Sequence, residues 1–210
     1  MRAFLQKVTL VLALAVPSAI AQAQAPDPAE FAVAGPLGEK SLGDPNAPVT
    51  MVEYASLTCN HCGNFHTTTF AALKEKYIDT GKIRFILREF PLDPLALAAA
   101  MAARCGPADD YFAIIDAMFT EQDKWAYVEN PAPALLALLA PYGFTDESFD
   151  ACLKDQAIVE GIVEVAQRGQ AFGVAGTPSF FFNGEKQSGA MTIERIDAIV
   201  EPLLAEPVSE

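Results

Sequence analysis

Two cysteines three residues apart, in Cys59-Asn60-His61-Cys62, constrain this chain more than any other feature. They follow a short β-prone run, Val49–Tyr54, and open a segment of helical periodicity, so the first cysteine falls at a helix N-terminus. Unpaired backbone N–H groups and the positive end of the helix dipole stabilise a thiolate there. His61, when protonated, adds positive charge beside the sulfur. Two intervening residues within one helical turn bring both sulfurs within bonding range, so the pair can cycle between dithiol and disulfide. The thiolate is the species that attacks and leaves, and its pKa tunes the reaction.

Three other readings compete. A zinc half-site would take His66 as a third ligand, but no second Cys/His pair stands at finger spacing, and His66 reads as a partly exposed helix residue. Haem attachment needs histidine directly after the second cysteine, where Gly63 stands. A staple across so short a span at a helix start would be strained. The redox pair is the preferred reading, and it needs no metal and no cofactor beyond the disulfide itself.

The N-terminus bears on the compartment. Arg2 and Lys7 precede a nearly continuous apolar run, Val8–Val16, followed by the small-x-small patterns Ala19-Ile20-Ala21 and Ala21-Gln22-Ala23. This is the order of a cleaved secretory signal; the apolar run is well short of the ~20 residues of a membrane span. The expected mature start is Gln22 or Gln24, and the expected location is the periplasm. An oxidising compartment lets the four cysteines, Cys59, Cys62, Cys105 and Cys152, pair completely. A formal net charge of -13 argues against nucleic acid and anionic lipid surfaces as partners.

Along the chain, Gln22–Glu30 reads as a flexible leader and Gly43–Pro48 as turn chemistry. Cys62–Thr80 reads as one helix with Gly81 at its C-cap, and Lys82–Phe90 as a strand. Leu95–Arg104, Tyr111–Thr120 and Pro133–Leu139 read as short helices with no strand among them. Asp155–Phe172 reads as a longer helix with Val159, Ile162, Val163 and Ala166 on its inner stripe. Ser179–Asn183 is a strand with an Asn183-Gly184 turn, and Thr192 caps a last helix carrying Ile193, Ile196, Val200 and Leu203. This order gives an α/β plan in which a helical insertion separates two halves of one domain. The expected divisions are signal and cleavage region 1–23, leader 24–42, first part 43–93, insertion 94–154 and second part 155–205.

Three blocks carry a family resemblance: Gly43–Thr50, Val52-Glu53-Tyr54 through Cys62, and Gly173–Gly184 with Thr177-Pro178 inside it. In that order they resemble the DsbA family of exported thiol–disulfide oxidoreductases, from about Gly43 to Leu204. The resemblance implies a thioredoxin-like fold interrupted by a helical domain. It also implies an activity: donating disulfides to reduced or unfolded exported proteins, with reoxidation by a membrane oxidase. Carried over residue by residue, Cys59 is the exposed nucleophile, Cys62 the buried resolving cysteine and His61 the histidine between them. Thr177-Pro178 is the cis-proline loop, whose backbone pairs with substrate. Glu53 is the acidic residue buried behind the site to assist proton transfer. Asn60 stands where the best-known oxidases have proline, so oxidising strength does not transfer with the motif.

Cys105 and Cys152 stand at the two ends of the insertion. A structural staple is the preferred reading over unpaired buried thiols or a second redox pair; the second disulfide that some relatives carry in this region supports the staple, which would contribute roughly 4 kcal/mol. Trp125 reads as insertion core. Two rival functions stand beside the oxidase: a reductase or isomerase of the same fold, and a holdase in which the disulfide is incidental. The stretch ahead of the first turn block is too short for a dimerisation domain, which favours a monomer.

Overall fold

The computed structural model describes residues 28–187, 189 and 191–205; the expected signal and cleavage sites lie outside these residues. A five-stranded sheet forms the centre, with strands β1 (Lys40–Leu42), β2 (Val49–Ala55), β3 (Ile83–Glu89), β4 (Ser179–Phe182) and β5 (Glu185–Gln187) in the order β1-β3-β2-β4-β5. Strands β2 and β3 run parallel, and every other neighbouring pair is antiparallel. Strands β1 and β5, at the two edges, were not anticipated. Each is three residues long and owes its conformation to its partner rather than to an apolar alternation of its own. Strand β1 and the buried Phe31, which ends the short helix α1 (Pro28–Phe31), belong to the stretch expected as leader.

The central strands are covered on both faces, which is why β4 reads as an unbroken run of phenylalanines. Phe180 and Phe182 point into the larger core with Phe65, Phe85 and Leu73. Phe181 points into a second core with Val52, Tyr54, Ile86 and Val165. Asn183 (φ 48°) and Gly184 (φ 87°) both take the left-handed conformation that a tight two-residue hairpin turn requires.

The helix expected over 62–80 begins earlier and is broken. Helix α2 spans Asn60–Thr68 with Cys59 as its N-cap, α3 spans Phe70–Leu73, and Lys74–Ile78 forms a π-helical turn. The break falls in Thr67-Thr68-Thr69. The Thr67 and Thr68 hydroxyls donate back to the Gly63 and Asn64 carbonyls, at 2.9 and 2.7 Å, competing with the helical ladder.

From Pro94 to Cys152 the described chain holds helices and loops only: α4 (Pro94–Cys105), α5 (Tyr111–Thr120), α6 (Gln122–Trp125), α7 (Pro131–Leu139) and α8 (Asp146–Cys152). Helix α9 (Gln156–Ala171) then packs on the sheet, and α10 (Ile193–Ala205) closes the described chain. The inner stripe of α9 is Ile162, Val165 and Gly169, whereas Val163 is 37% exposed, a correction to the expected stripe. The helix lies close to the sheet at Gly169, where a Cβ would come within 2.7 Å of the Tyr54 ring.

Two devices fasten the helices between Pro94 and Cys152. Cys105, at the end of α4, is disulfide-bonded to Cys152, at the end of α8. Glu89, at the end of β3, is buried and accepts from Arg104 of α4 and from the Tyr111 hydroxyl of α5 at 2.7 Å. Arg104 also reaches the Leu37 and Gly38 carbonyls, tying the N-terminal segment to the same point. Replacing Glu89 with alanine leaves a buried guanidinium without its carboxylate. The unfolding free energy should fall by about 3–5 kcal/mol, read by urea denaturation. A loss under about 1 kcal/mol, the scale of an exposed pair, would show that this network does not hold the helices to the sheet.

Candidate functional site

Strand β2 delivers the chain into Ser56-Leu57-Thr58, and Cys59 caps α2 with its N–H bonded to the Ser56 carbonyl at 3.0 Å. Both cysteines are free thiols; Cys59 is 9% exposed and Cys62 is fully enclosed. Their acidities are pushed in opposite directions. The Cys59 thiol is lowered to about 5, first by a hydrogen bond from the Cys62 thiol, against the cost of burial. The Thr177 side chain and the backbone N–H groups of Cys62 and His61 at the helix N-terminus contribute further. Burial pushes Cys62 well above the ordinary thiol range; donating to Cys59 and the nearby charge of Glu53 push the same way.

The Thr177–Pro178 peptide bond is cis and faces this pair. As a thiol, Cys59 donates to the Thr177 carbonyl at 3.3 Å. Once ionised the sulfur can only accept, and the Thr177 hydroxyl, buried and otherwise without a partner, is the group that can donate to it. A groove of about 380 Å³ runs from this loop, between His61, Asn64 and Phe65 on one side and Pro178 and Met191 on the other. His61 is exposed at its lip.

Glu53 lies beneath the site, fully buried on the sheet face that α2 covers. Its partner is His66, whose Nε2 is 2.9 Å from Glu53 Oε2; the other carboxylate oxygen is buried without a partner. This corrects the reading of His66 as a partly exposed residue. Spacing along α2 puts it on the inward face with Cys62 and Phe65, and its ring is stacked between Phe70 and Phe119, at 4.7 and 4.2 Å. Among the described residues no group of three or more His, Cys, Asp or Glu is placed to hold a metal ion. Trp125 is buried in the core, its indole N–H bonded to the Met118 carbonyl at 2.8 Å. Asn60 is exposed on the first turn of α2.

Two residues at this site carry no motif and were missed in the sequence. The Gln122 side-chain amide donates to the Leu57 and Cys59 carbonyls, at 2.7 and 3.1 Å, and the Tyr127 hydroxyl donates to the Thr58 carbonyl at 2.8 Å. The sequence carries no signal for them: Gln122 stands in a polar run, Thr120–Lys124, from which nothing sets it apart. Leu92 and Tyr127, both exposed, sit on segments that bond to the 56–58 loop, through Leu92 N–H to the Ser56 hydroxyl and through the Tyr127 hydroxyl.

The lowered Cys59 has a consequence for stability. An unfolded thiol ionises near about 8.5, whereas the folded one ionises at about 5. The reduced fold therefore gains stability from Cys59 at pH above 5 and loses it as pH falls through 5. Thiolate absorbance should show a midpoint near 5, and Cys62→Ala, which removes the principal donor, should raise it by about one unit or more. An unshifted midpoint in Cys62→Ala would contradict that assignment of cause.

The geometry has counterparts in known proteins. The family model described as Thioredoxin matches residues 37–202. A Rickettsia bellii protein whose name assigns it as a protein-disulfide oxidoreductase is 35% identical over 190 residues, covering 87% of this chain and 72% of that protein. A Rickettsia conorii protein of the same assigned name is 37% identical over 170 residues, and there the chain spans 60% of the relative's length. The crystal structure of Wolbachia pipientis alpha-DsbA1 superposes with a TM-score of 0.75 at 34% identity, over 83% of this chain and 94% of that one. Sequence and fold thus agree over nearly the whole described chain, and the protein belongs to the thioredoxin-fold protein-disulfide oxidoreductases of the DsbA type.

Proposed function

We propose that this protein is an exported disulfide-donating oxidase acting through Cys59 and Cys62, and that it works in the periplasm on reduced, unfolded polypeptides. The observation that carries the reading is the opposed acidity of the two thiols, Cys59 lowered to about 5 and Cys62 raised. A sulfur that is stable as a thiolate is a good leaving group, and a couple whose reduced form is stabilised is an oxidant.

In the proposed reaction a substrate thiolate attacks Cys59 Sγ of the Cys59–Cys62 disulfide. The sulfur–sulfur bond breaks, and Cys62 takes the electron pair and a proton. A second substrate thiolate then attacks the substrate sulfur of the mixed disulfide and displaces Cys59 as thiolate. Two electrons pass from the substrate dithiol to the protein; of the two substrate protons one stays on Cys62 and one is released. No group beyond the cysteines is needed. Glu53 is the proposed proton exchanger for Cys62, whose burial makes an unassisted proton transfer slow. The Thr177–Pro178 backbone offers the edge on which an extended substrate pairs, and His61 and Asn64 line the groove beside it from the helix side. Cys105–Cys152 serves as a staple in this reading, and a membrane oxidase removes the electrons from Cys59 and Cys62. Residues 1–23 direct export, and the protein acts as a monomer.

Oxidised protein mixed with an equimolar amount of reduced, unfolded ribonuclease should lose its own disulfide as one forms in the ribonuclease, and Cys59→Ser should abolish the transfer. Retention of the effect by Cys59→Ser would favour a holdase. Failure of the wild type to form any ribonuclease disulfide would contradict the oxidase.

A further inference from the structure

The three peptide carbonyls that lead into the active-site helix each accept a hydrogen bond from a side chain on one short stretch of the insertion. Gln122, the first residue of α6, donates to the carbonyls of Leu57 and Cys59, and Tyr127, just beyond α6, donates to that of Thr58. We propose that Gln122, with Tyr127 beside it, is a positioning residue for the attacking sulfur, so that the insertion tunes the Cys59 thiolate from outside the sheet. The inference rests on the reading of Cys59 as that sulfur.

Geometry fixes the amide firmly. Gln122 is buried, and its side-chain oxygen lies against the first turn of α2: a Cβ built at Gly63 would come within 2.7 Å of Gln122 Oε1. Glycine directly after the second cysteine is therefore what lets α2 and α6 approach, and it leaves the amide nitrogen aimed at the two carbonyls. The Cys59 carbonyl also accepts the first helical bond of α2, from Gly63 N–H at 3.0 Å. Leu57 is buried, so without Gln122 its carbonyl would lose its side-chain donor.

Electrostatics give the arrangement its direction. The negative ends of these carbonyls lie on Cys59 itself and on the two residues before it, where uncompensated they would oppose a charged sulfur. A donor on each lowers the negative potential there and favours the thiolate over the thiol. The titratable groups around the sulfur are Cys62 and His61 on α2, Glu53 beneath on β2, Thr58-linked Asp93 at the start of α4, and Tyr127 and Asp123 on the insertion side. Glu53, Asp93 and Asp123 are acids, whereas Gln122 is a neutral donor that cannot ionise. Its contribution therefore persists at any pH and is not gated by His61. Tyr127, 53% exposed, carries the outer edge of the same contact to the surface.

The test compares thiolate absorbance and iodoacetamide alkylation of reduced wild type, Gln122→Met and Tyr127→Phe as a function of pH. Methionine keeps the length of glutamine and removes the donors. Gln122→Met should raise the Cys59 midpoint by about one unit, a roughly tenfold loss of thiolate below the wild-type midpoint, with Tyr127→Phe shifted less and in the same direction. A change in melting temperature alone, with the wild-type midpoint retained in Gln122→Met, would make the residue merely structural and overturn the inference. If Gln122→Met does not fold, Tyr127→Phe decides, and an unshifted midpoint there overturns it. A wild-type midpoint at the ordinary thiol value would instead overturn the proposed function, and this inference with it.

Discussion

A negatively charged sulfur in a nearly enclosed position is an expensive thing to hold, and the surroundings of Cys59 are arranged to hold one. Desolvation alone would raise its pKa, yet the thiol ionises at about 5. The compensation comes from separate stretches of chain: the Cys62 thiol and two N–H groups of the first turn of α2, and the Thr177 side chain on the cis-proline loop. The first three belong to α2, whereas Thr177 lies 118 positions from Cys59 in the sequence. The sheet brings them together, because β2 leads into Cys59 and its antiparallel neighbour β4 begins directly after Thr177–Pro178.

The same scaffold keeps the second sulfur different from the first. Cys62 sits one turn along α2 on its inward face, over a buried Glu53–His66 pair instead of over solvent. Acidic charge below and a donor role above both favour its protonated state. Two sulfurs in one turn of helix thus acquire opposite acidities, the contrast on which the proposed roles of nucleophile and resolving residue rest. The ion pairs of Glu89 with Arg104 and Glu39 with Arg88 do structural work of another kind: they pin the helical segment and the N-terminal segment to the end of β3 that lies beside the last residues of β2.

The parts legible in the sequence were those fixed by local chemistry. Cys59 and Cys62 at a strand–helix junction and Asn183-Gly184 as a hairpin turn announce themselves, because each depends on neighbours within a few residues. The inserted helices were visible as alanine- and leucine-rich runs broken by Gly-Pro and Asn-Pro. What stayed hidden depended on partners distant in sequence. Spacing along α2 puts His66 on the inward face, but its partner Glu53, thirteen positions earlier on β2, is not visible within α2. Strands β1 and β5 exist by pairing with β3 and β4. Gln122 matters only because Gly63 lets its amide approach the Cys59 carbonyl, a contact sixty-three positions apart.

The central claim is that the environment of Cys59 makes the reduced pair the favoured state, and the equilibrium redox potential against glutathione tests it most directly. Each unit by which a thiolate is stabilised shifts a two-electron couple by roughly 30 mV. Thioredoxin, with its attacking thiol near about 7 and its potential near about -270 mV, sets the scale. A Cys59 at about 5 places this pair roughly 60 mV or more above that value. A potential at or below thioredoxin's would mean that the sulfur is not stabilised as described, and that electrons flow from this protein to its substrates.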